Sequence, residues 1–241
     1  MLNYLGSGLS VREMLLSLLL SLPVIVFALC FHECAHAFVA WKMGDPTARN
    51  MGRLTLDPLK HLDPIGTITM ILFGIGWAKP VPVNSRYFKK PKLGMALTAL
   101  AGPFSNLVLS FIFTVIYMAA FYLGAFSPLY AASSPTESFG IAMLYIVKVM
   151  LASSITLNCY LAVFNMLPIP PFDGSRIAFV LLPDKFYFGV MKHERVIMAV
   201  VLVLLYTGIL TTPLDWLSDL LLDGIWWLAD KVVTLPSLIF K

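Results

Sequence analysis

Charge is scarce in this chain. Only 12% of its 241 residues are charged, against about a quarter in a soluble domain, and this excludes a soluble globular protein. Cysteine is equally sparse. Cys30, Cys34 and Cys159 form an odd set within or beside apolar runs, so no disulfide framework holds the fold. Cys30 and Cys34 fall four apart on one helix face, roughly opposite His32 and His36, and read as small packing residues. There is no internal repeat, no low-complexity tract and no stretch long enough for an added soluble domain. Lys and Arg are absent from Ala125 to Ala142 and occur elsewhere as short clusters. Such clusters beside apolar runs are what a membrane protein needs in any case, so a nucleic acid partner is not expected.

What the chain has instead is apolar length. Hydrophobic residues make up 59% of it, and several runs reach the roughly 20 residues that cross a bilayer as a helix. The expected fold class is therefore an α-helical polytopic membrane protein. Basic residues cluster at Lys42 to Lys60, Lys79 to Lys92 and Arg176 to Arg195. The positive-inside rule places these stretches in the cytoplasm and 125–142 outside. The first run is too long for a cleavable signal peptide and lacks a basic start and a small-residue cleavage site.

Leu15 to Met43 reads as a first helix, stopped at Gly44-Asp45-Pro46. In the polar stretch that follows, Gly52-Arg53-Leu54-Thr55-Leu56 alternates like a short strand. Pro64 to Asn84 is apolar yet flanked by basic clusters, with β-branched residues from Gly66 to Leu72, turn glycines at Gly74 and Gly76, and a proline-marked edge from Trp77 to Val83. It is expected to be a re-entrant β-hairpin-like loop lining a cavity, because non-helical backbone at membrane depth needs polar partners; a short helical span is the alternative. Leu93 to Leu123 and Ile141 to Leu167 are further spans, the latter broken at Pro168-Ile169-Pro170-Pro171. Asp173 opens a short helix to about Leu182, and Val196 to Leu210 reads as a fourth span. In Leu214 to Val233 an acidic stripe of Asp215, Asp219 and Asp223 stands opposite Leu217, Leu221 and Leu228, which suggests a half-buried amphipathic helix.

Near the end of the first run stands His32-Glu33-Cys34-Ala35-His36. On a helix, residues four apart share a face, so both imidazoles can reach one zinc ion, while Glu33 sits about 100° round and can act on a water. Ionisable groups inside a membrane are costly and mark function by default. Catalytic zinc takes three protein ligands. Asp173, at the broken-helix junction, is the leading candidate for the third; an N-cap for the following helix is the lesser alternative. His61, Asp63, His193 and Glu194 are alternatives better read as solvated residues.

Asn165-Met166-Leu167-Pro168-Ile169-Pro170-Pro171-Phe172-Asp173-Gly174 resembles the N-x-x-P-x-P-x-x-D-G motif of the site-2 protease family of intramembrane zinc metalloproteases, and His32 to His36 is similar to that family's H-E-x-x-H. Ala101-Gly102-Pro103-Phe104-Ser105-Asn106 resembles its A-G-P-x-x-N signature, and Gly76 to Asn84 the stretch before that span in compact members. The resemblance, covering about residues 25–182, implies one zinc ion held by His32, His36 and Asp173, with Glu33 as catalytic base. It also implies a three-helix core with the zinc toward the cytoplasm. Asn165, Asn106, Gly76 and Trp77 are candidate substrate-binding or orienting residues. Asn165 can orient Asp173, hold substrate backbone or simply cap its helix; Gly102 suits close helix packing.

The expectation is thus a compact member without a PDZ or CBS domain, a single integral-membrane protease domain over 1–241 with its catalytic core at about 14–182 and accessory helices at about 195–235. It would sit in a prokaryotic cell membrane and cut single-span membrane proteins. A zinc-binding transporter is the alternative, since broken helices serve transport too, but transport needs no glutamate beside the first histidine. A catalytically silent membrane binding protein is a third possibility, disfavoured by the intact Glu33. No oligomeric state follows from the sequence.

Overall fold

A computed structural model describes residues 11–73, 76–181, 190 and 193–239 of the chain. Three helices are long and apolar enough to cross a membrane: Leu19–Lys42 within α1 (Val11–Lys42), α5 (Pro91–Tyr122) and α7 (Phe139–Asn165). Between α1 and α5 lie the short helices α2 (Thr47–Asn50), α3 (Pro58–His61) and α4 (Pro64–Phe73). Helix α6 (Ser127–Ala131) joins α5 to α7, and α8 (Asp173–Leu181), α9 (Glu194–Tyr206) and α10 (Thr211–Ile239) follow. The protein is an α-helical polytopic membrane protein, as its composition requires.

The three spans pack against one another, with α5 touching α1, α7, α8 and α10. Small residues make this possible. Ala28, Ala37 and Ala40 of α1 are fully buried, and α5 buries Gly94, Ala96, Ala99, Ala101 and Gly102. In hydrocarbon, helices gain little from hiding apolar surface and associate through close packing and polar contacts. One such contact joins the Ser110 hydroxyl to the Ile155 carbonyl at 2.8 Å. The outer face of α5 carries Leu97, Leu100, Phe104, Val108, Ile112 and Ile116, all exposed at helical spacing as a lipid-facing stripe requires.

Four sequence expectations need correction. Residues 52–56 form no strand: a strand needs a neighbour, and here the Arg53 amide bonds to the Ala48 carbonyl while the Thr55 carbonyl is taken by the His61 ring. Residues 66–72 are helical rather than one arm of a β-hairpin. Asp63 caps that helix by accepting from the Gly66 amide at 2.8 Å, and the hydroxyls of Thr67 and Thr69 bond back to the carbonyls of Asp63 and Gly66. Capping has overridden β-propensity here. The chain does double back, since Ala78 forms a lone antiparallel bridge with Leu62; the expected turn at residues 74 and 75 lies outside the described residues, as does Leu182.

The proposed fourth span, α9, has 13 residues. That is about 20 Å of helix against the roughly 30 Å of a hydrocarbon core. Gly208, at φ +81°, ends it, and the Leu210 amide closes back on the Leu204 carbonyl at 3.2 Å. In α10 the acidic stripe of Asp215, Asp219 and Asp223 is exposed as expected, but the buried face is Leu214, Ser218 and Ala229. Leu217 and Leu228 point outward. The helix is placed by its contacts with α5 and α7, not by its most hydrophobic stripe.

Candidate metal centre

His32 and His36 are separated by one helical turn on α1, and both side chains are buried toward α5. Asp173 reaches them because the proline-rich segment after α7 turns the chain back and starts α8 against α5. Gly174 is needed for that turn: a Cβ there would lie 2.1 Å from the Met166 carbonyl oxygen. The result is a triangle of donor atoms. His32 Nε2 lies 3.0 Å from Asp173 Oδ2, His36 Nε2 lies 3.1 Å from it, and the two Nε2 atoms are 3.0 Å apart.

The far side of each ring fixes its tautomer. His36 Nδ1 donates to the Thr98 carbonyl at 2.7 Å, and a carbonyl can only accept. The tautomer of His32 is set through a relay of three hydrogen bonds. The Ser154 carbonyl accepts from Asn158 Nδ2 at 2.8 Å, which turns Asn158 Oδ1 toward Asn106 Nδ2, also at 2.8 Å. Asn106 Oδ1 is thereby left facing His32 Nδ1 at 2.6 Å, as an acceptor. In the neutral rings both Nε2 atoms therefore carry lone pairs, and both aim at Asp173.

Asp173 stands beyond the end of the third span. With both neighbouring Nε2 atoms unprotonated, neither ring offers its Oδ2 an N–H. Three electron-rich atoms turned on one point repel unless a proton or cation sits among them. Ligands of one tetrahedral zinc ion stand about 3.3 Å apart, close to the separations here, and two neutral imidazoles with one carboxylate are a common catalytic zinc set. The residues fit the ion. Among the described residues, this is also the one group of three or more such side chains close enough to share a metal.

Glu33 does not join the triangle. Its Oε2 accepts from the Val81 amide at 3.0 Å, and Val81 lies on an extended arm, residues 76–84, that runs along α1. Gly102 does not merely ease helix packing: a Cβ on it would sit 2.5 Å from atoms of both imidazoles. Of the other sequence candidates, Asn106 is in the site, completely buried. Asn165 bonds to the Leu161 carbonyl of its own helix at 3.0 Å rather than to Asp173. Gly76 packs closely on Gly66 and Met70 of α4, and the Trp77 indole is exposed.

His61 is fully buried, not solvated, and Asp63 is the cap of α4; neither joins the metal-ligand group. His193 lies at the start of α9, exposed. Sequence reasoning missed Asn158 and Thr98. An asparagine within an apolar span is the available signal for the first, since polar groups in hydrocarbon need a reason. Thr98 acts through its carbonyl, which any residue would supply.

Similarity to known proteins agrees with this geometry. The profile of peptidase family M50 matches residues 20–208, well over half of the chain. YwhC of Bacillus subtilis, whose name describes a candidate zinc metalloprotease, is 43% identical over 185 residues, covering 76% of this chain and 78% of that protein. MJ0611 of Methanocaldococcus jannaschii, named in the same way, is 30% identical over 165 residues, 68% of this chain and 71% of the relative. Rip2 of Mycolicibacterium smegmatis, again so named, is 30% identical over 154 residues; the match takes in 62% of this chain and only 52% of Rip2. No solved structure matches the chain. Given a family profile that runs from the first span through α9, the chain belongs to peptidase family M50, the site-2 protease family.

Proposed function

We propose that this chain is a zinc-dependent intramembrane endopeptidase that hydrolyses peptide bonds of single-span membrane proteins near the cytoplasmic side of a prokaryotic cell membrane. The observation that carries this reading is the convergence of His32 Nε2, His36 Nε2 and Asp173 Oδ2 beside Glu33, inside a helix apolar enough to span a bilayer. The relatives' names as zinc metalloproteases point the same way. The cytoplasmic placement rests on the basic cluster at 42–60, which follows directly on the helix bearing His36, and on that at 79–92, which leads into α5. The whole is read as one protease domain with a core at about 14–182 and accessory helices at about 195–235.

His32, His36 and Asp173 would hold the ion, which supplies Lewis-acid activation of a water and of the scissile carbonyl. The chain's own residues do the rest. Glu33 takes the water's proton and returns it to the departing amine, as a general base and then a general acid. Asn106 holds the His32 ring in the tautomer that leaves Nε2 free, and the Thr98 carbonyl does the same for His36. A helical substrate has no free amides and must unwind to be cut. Among the described residues, the carbonyls of Val81, Pro82 and Val83 have no hydrogen-bond partner, so the arm can accept from an extended substrate by strand addition. Trp77, exposed on the same arm, is placed to touch that substrate.

The test is reconstitution of the purified protein in lipid vesicles with a tagged single-span substrate, beside Glu33→Gln. Cleavage by the variant should fall by about 10²–10⁴-fold while its zinc content stays that of the wild type. Undiminished cleavage would sink the proposal, and zinc flux without cleavage in either form would favour the transporter. A second result should follow from the asparagine relay. Asn106→Leu removes the acceptor at His32 Nδ1 and should weaken zinc binding by about 10–100-fold in a chelator competition. Asn158→Leu, one bond further out, should weaken it less.

A further inference from the structure

The arm over residues 76–84 is fastened by side chains rather than by a sheet. At one end the guanidinium of Arg53, only 6% exposed, donates to the carbonyls of Lys79 and Pro80. At the other, Asp45, fully buried, accepts from the Asn84 amide at 2.6 Å and from the Thr47 amide at 2.9 Å. Between these fastenings Val81 is buried in a small core with Ala37 and Ala48, one residue along α1 from His36. Pro80 and Pro82 flank Val81 and have no N–H. The Val81 amide is therefore the single donor of residues 80–82, and it goes to Glu33 Oε2. The second oxygen, Oε1, has no hydrogen-bond partner among the described residues.

A carboxylate tied by one oxygen and open at the other has its plane and reach set by whatever holds the tie. The Arg53 fastening is also unusual. Among the described residues no acid pairs with this buried cation, and its Nε is buried without a partner. Burying a guanidinium on carbonyls alone is costly, and a neutral donor would hold a purely structural loop as well.

We propose that Arg53 and Asp45 are positioning residues for Glu33: they clamp the two ends of the arm so that the Val81 amide holds the carboxylate in its working orientation. This rests on the reading of Glu33 as the base. Displacement of a catalytic group by about 1 Å costs on the order of 10²-fold in rate, whereas the zinc ligands are held from α5, α7 and α8 and do not depend on the arm.

The experiment compares Arg53→Met, Arg53→Lys and Asp45→Asn with wild type and Glu33→Gln, in detergent, on dye-quenched casein, an extended chain that needs no unwinding. Arg53→Met should lower kcat by about 10–100-fold, leave KM within about threefold and keep the wild-type zinc content. Arg53→Lys, which retains a cationic donor, should recover part of the loss. Asp45→Asn, which keeps one acceptor for the Asn84 amide, should move kcat in the same direction by less. If Arg53→Met does not reach the membrane fraction, the other two variants carry the test. Unchanged kcat in the variants that fold overturns the clamp. So does a rise in KM alone, which would make the arm a substrate dock only, or a loss of zinc, which would make Arg53 structural. Casein cleavage by Glu33→Gln at the wild-type rate would instead remove the reading of Glu33 as base.

Discussion

Replacing Asp173 by alanine should empty the metal centre and end cleavage. The carboxylate is the one anion facing two imidazole nitrogens that are both committed, by bonds on their far sides, to presenting lone pairs. Without it two neutral donors remain, too few for a catalytic zinc site, which takes three protein ligands. Loss of a partner behind a ligand costs about 10–100-fold in metal affinity, so loss of the ligand itself should cost more. Zinc per chain, read by elemental analysis after gel filtration, should fall to background, and activity should fall with it. Asp173→Asn should keep part of the zinc through its remaining oxygen. Full zinc content in Asp173→Ala would mean that another residue completes the site. The wild type should lose activity to a chelator and regain it on return of zinc.

Gly102→Ala should be nearly as damaging, although it adds one carbon and removes no ligand. The new Cβ would stand 2.5 Å from His32 Cε1, His32 Nε2 and His36 Cε1. Neither ring can swing away cheaply, because each Nδ1 is fixed by a buried bond to Asn106 or Thr98. Either a ring leaves its acceptor or α5 moves away from α1, and both separate the ligand atoms. Zinc affinity should fall by about 10–100-fold, the cost of losing the bond behind a ligand, and cleavage should fall with it. Gly224→Ala is the control. A Cβ there meets nothing within 4 Å, so this helix-interior change should leave zinc and activity alone and stabilise α10 by about 0.5–1 kcal/mol. Wild-type zinc binding by Gly102→Ala would mean that the two spans tolerate more separation than their packing suggests.

How much of this was legible beforehand differs from residue to residue. His32 and His36 could be paired from spacing alone, because one helix sets their geometry. Spacing alone leaves Asp173 one of several candidates, singled out only by the motif around it, since its place depends on how the chain turns after α7. The helix over 64–73 was misread because β-branched residues bias a segment weakly, while one cap at Asp63 and two threonine back-bonds act locally and decisively. The buried face of α10 differs from its most hydrophobic stripe because contact with α5 and α7 selects Leu214, Ser218 and Ala229 and leaves Leu217 and Leu228 outside.

Without any tertiary contact the chain already declares its membrane class, three of its four expected spans, the His32–Glu33–His36 register and the family. The class, the spans and the register follow from composition and from periodicity within single segments, where neighbours in the chain are neighbours in space; the family rests on the resemblance of whole motifs. Folding has to bring segments together before Asn158 and Asn106 set the tautomer of His32, Gly102 leaves room for both rings, and Arg53 and Asp45 hold the arm to which Glu33 is bonded. Each of these joins segments far apart in the chain. An asparagine, a glycine or an arginine carries no mark of its distant partner until packing brings the two together and burial forces every polar group to find one.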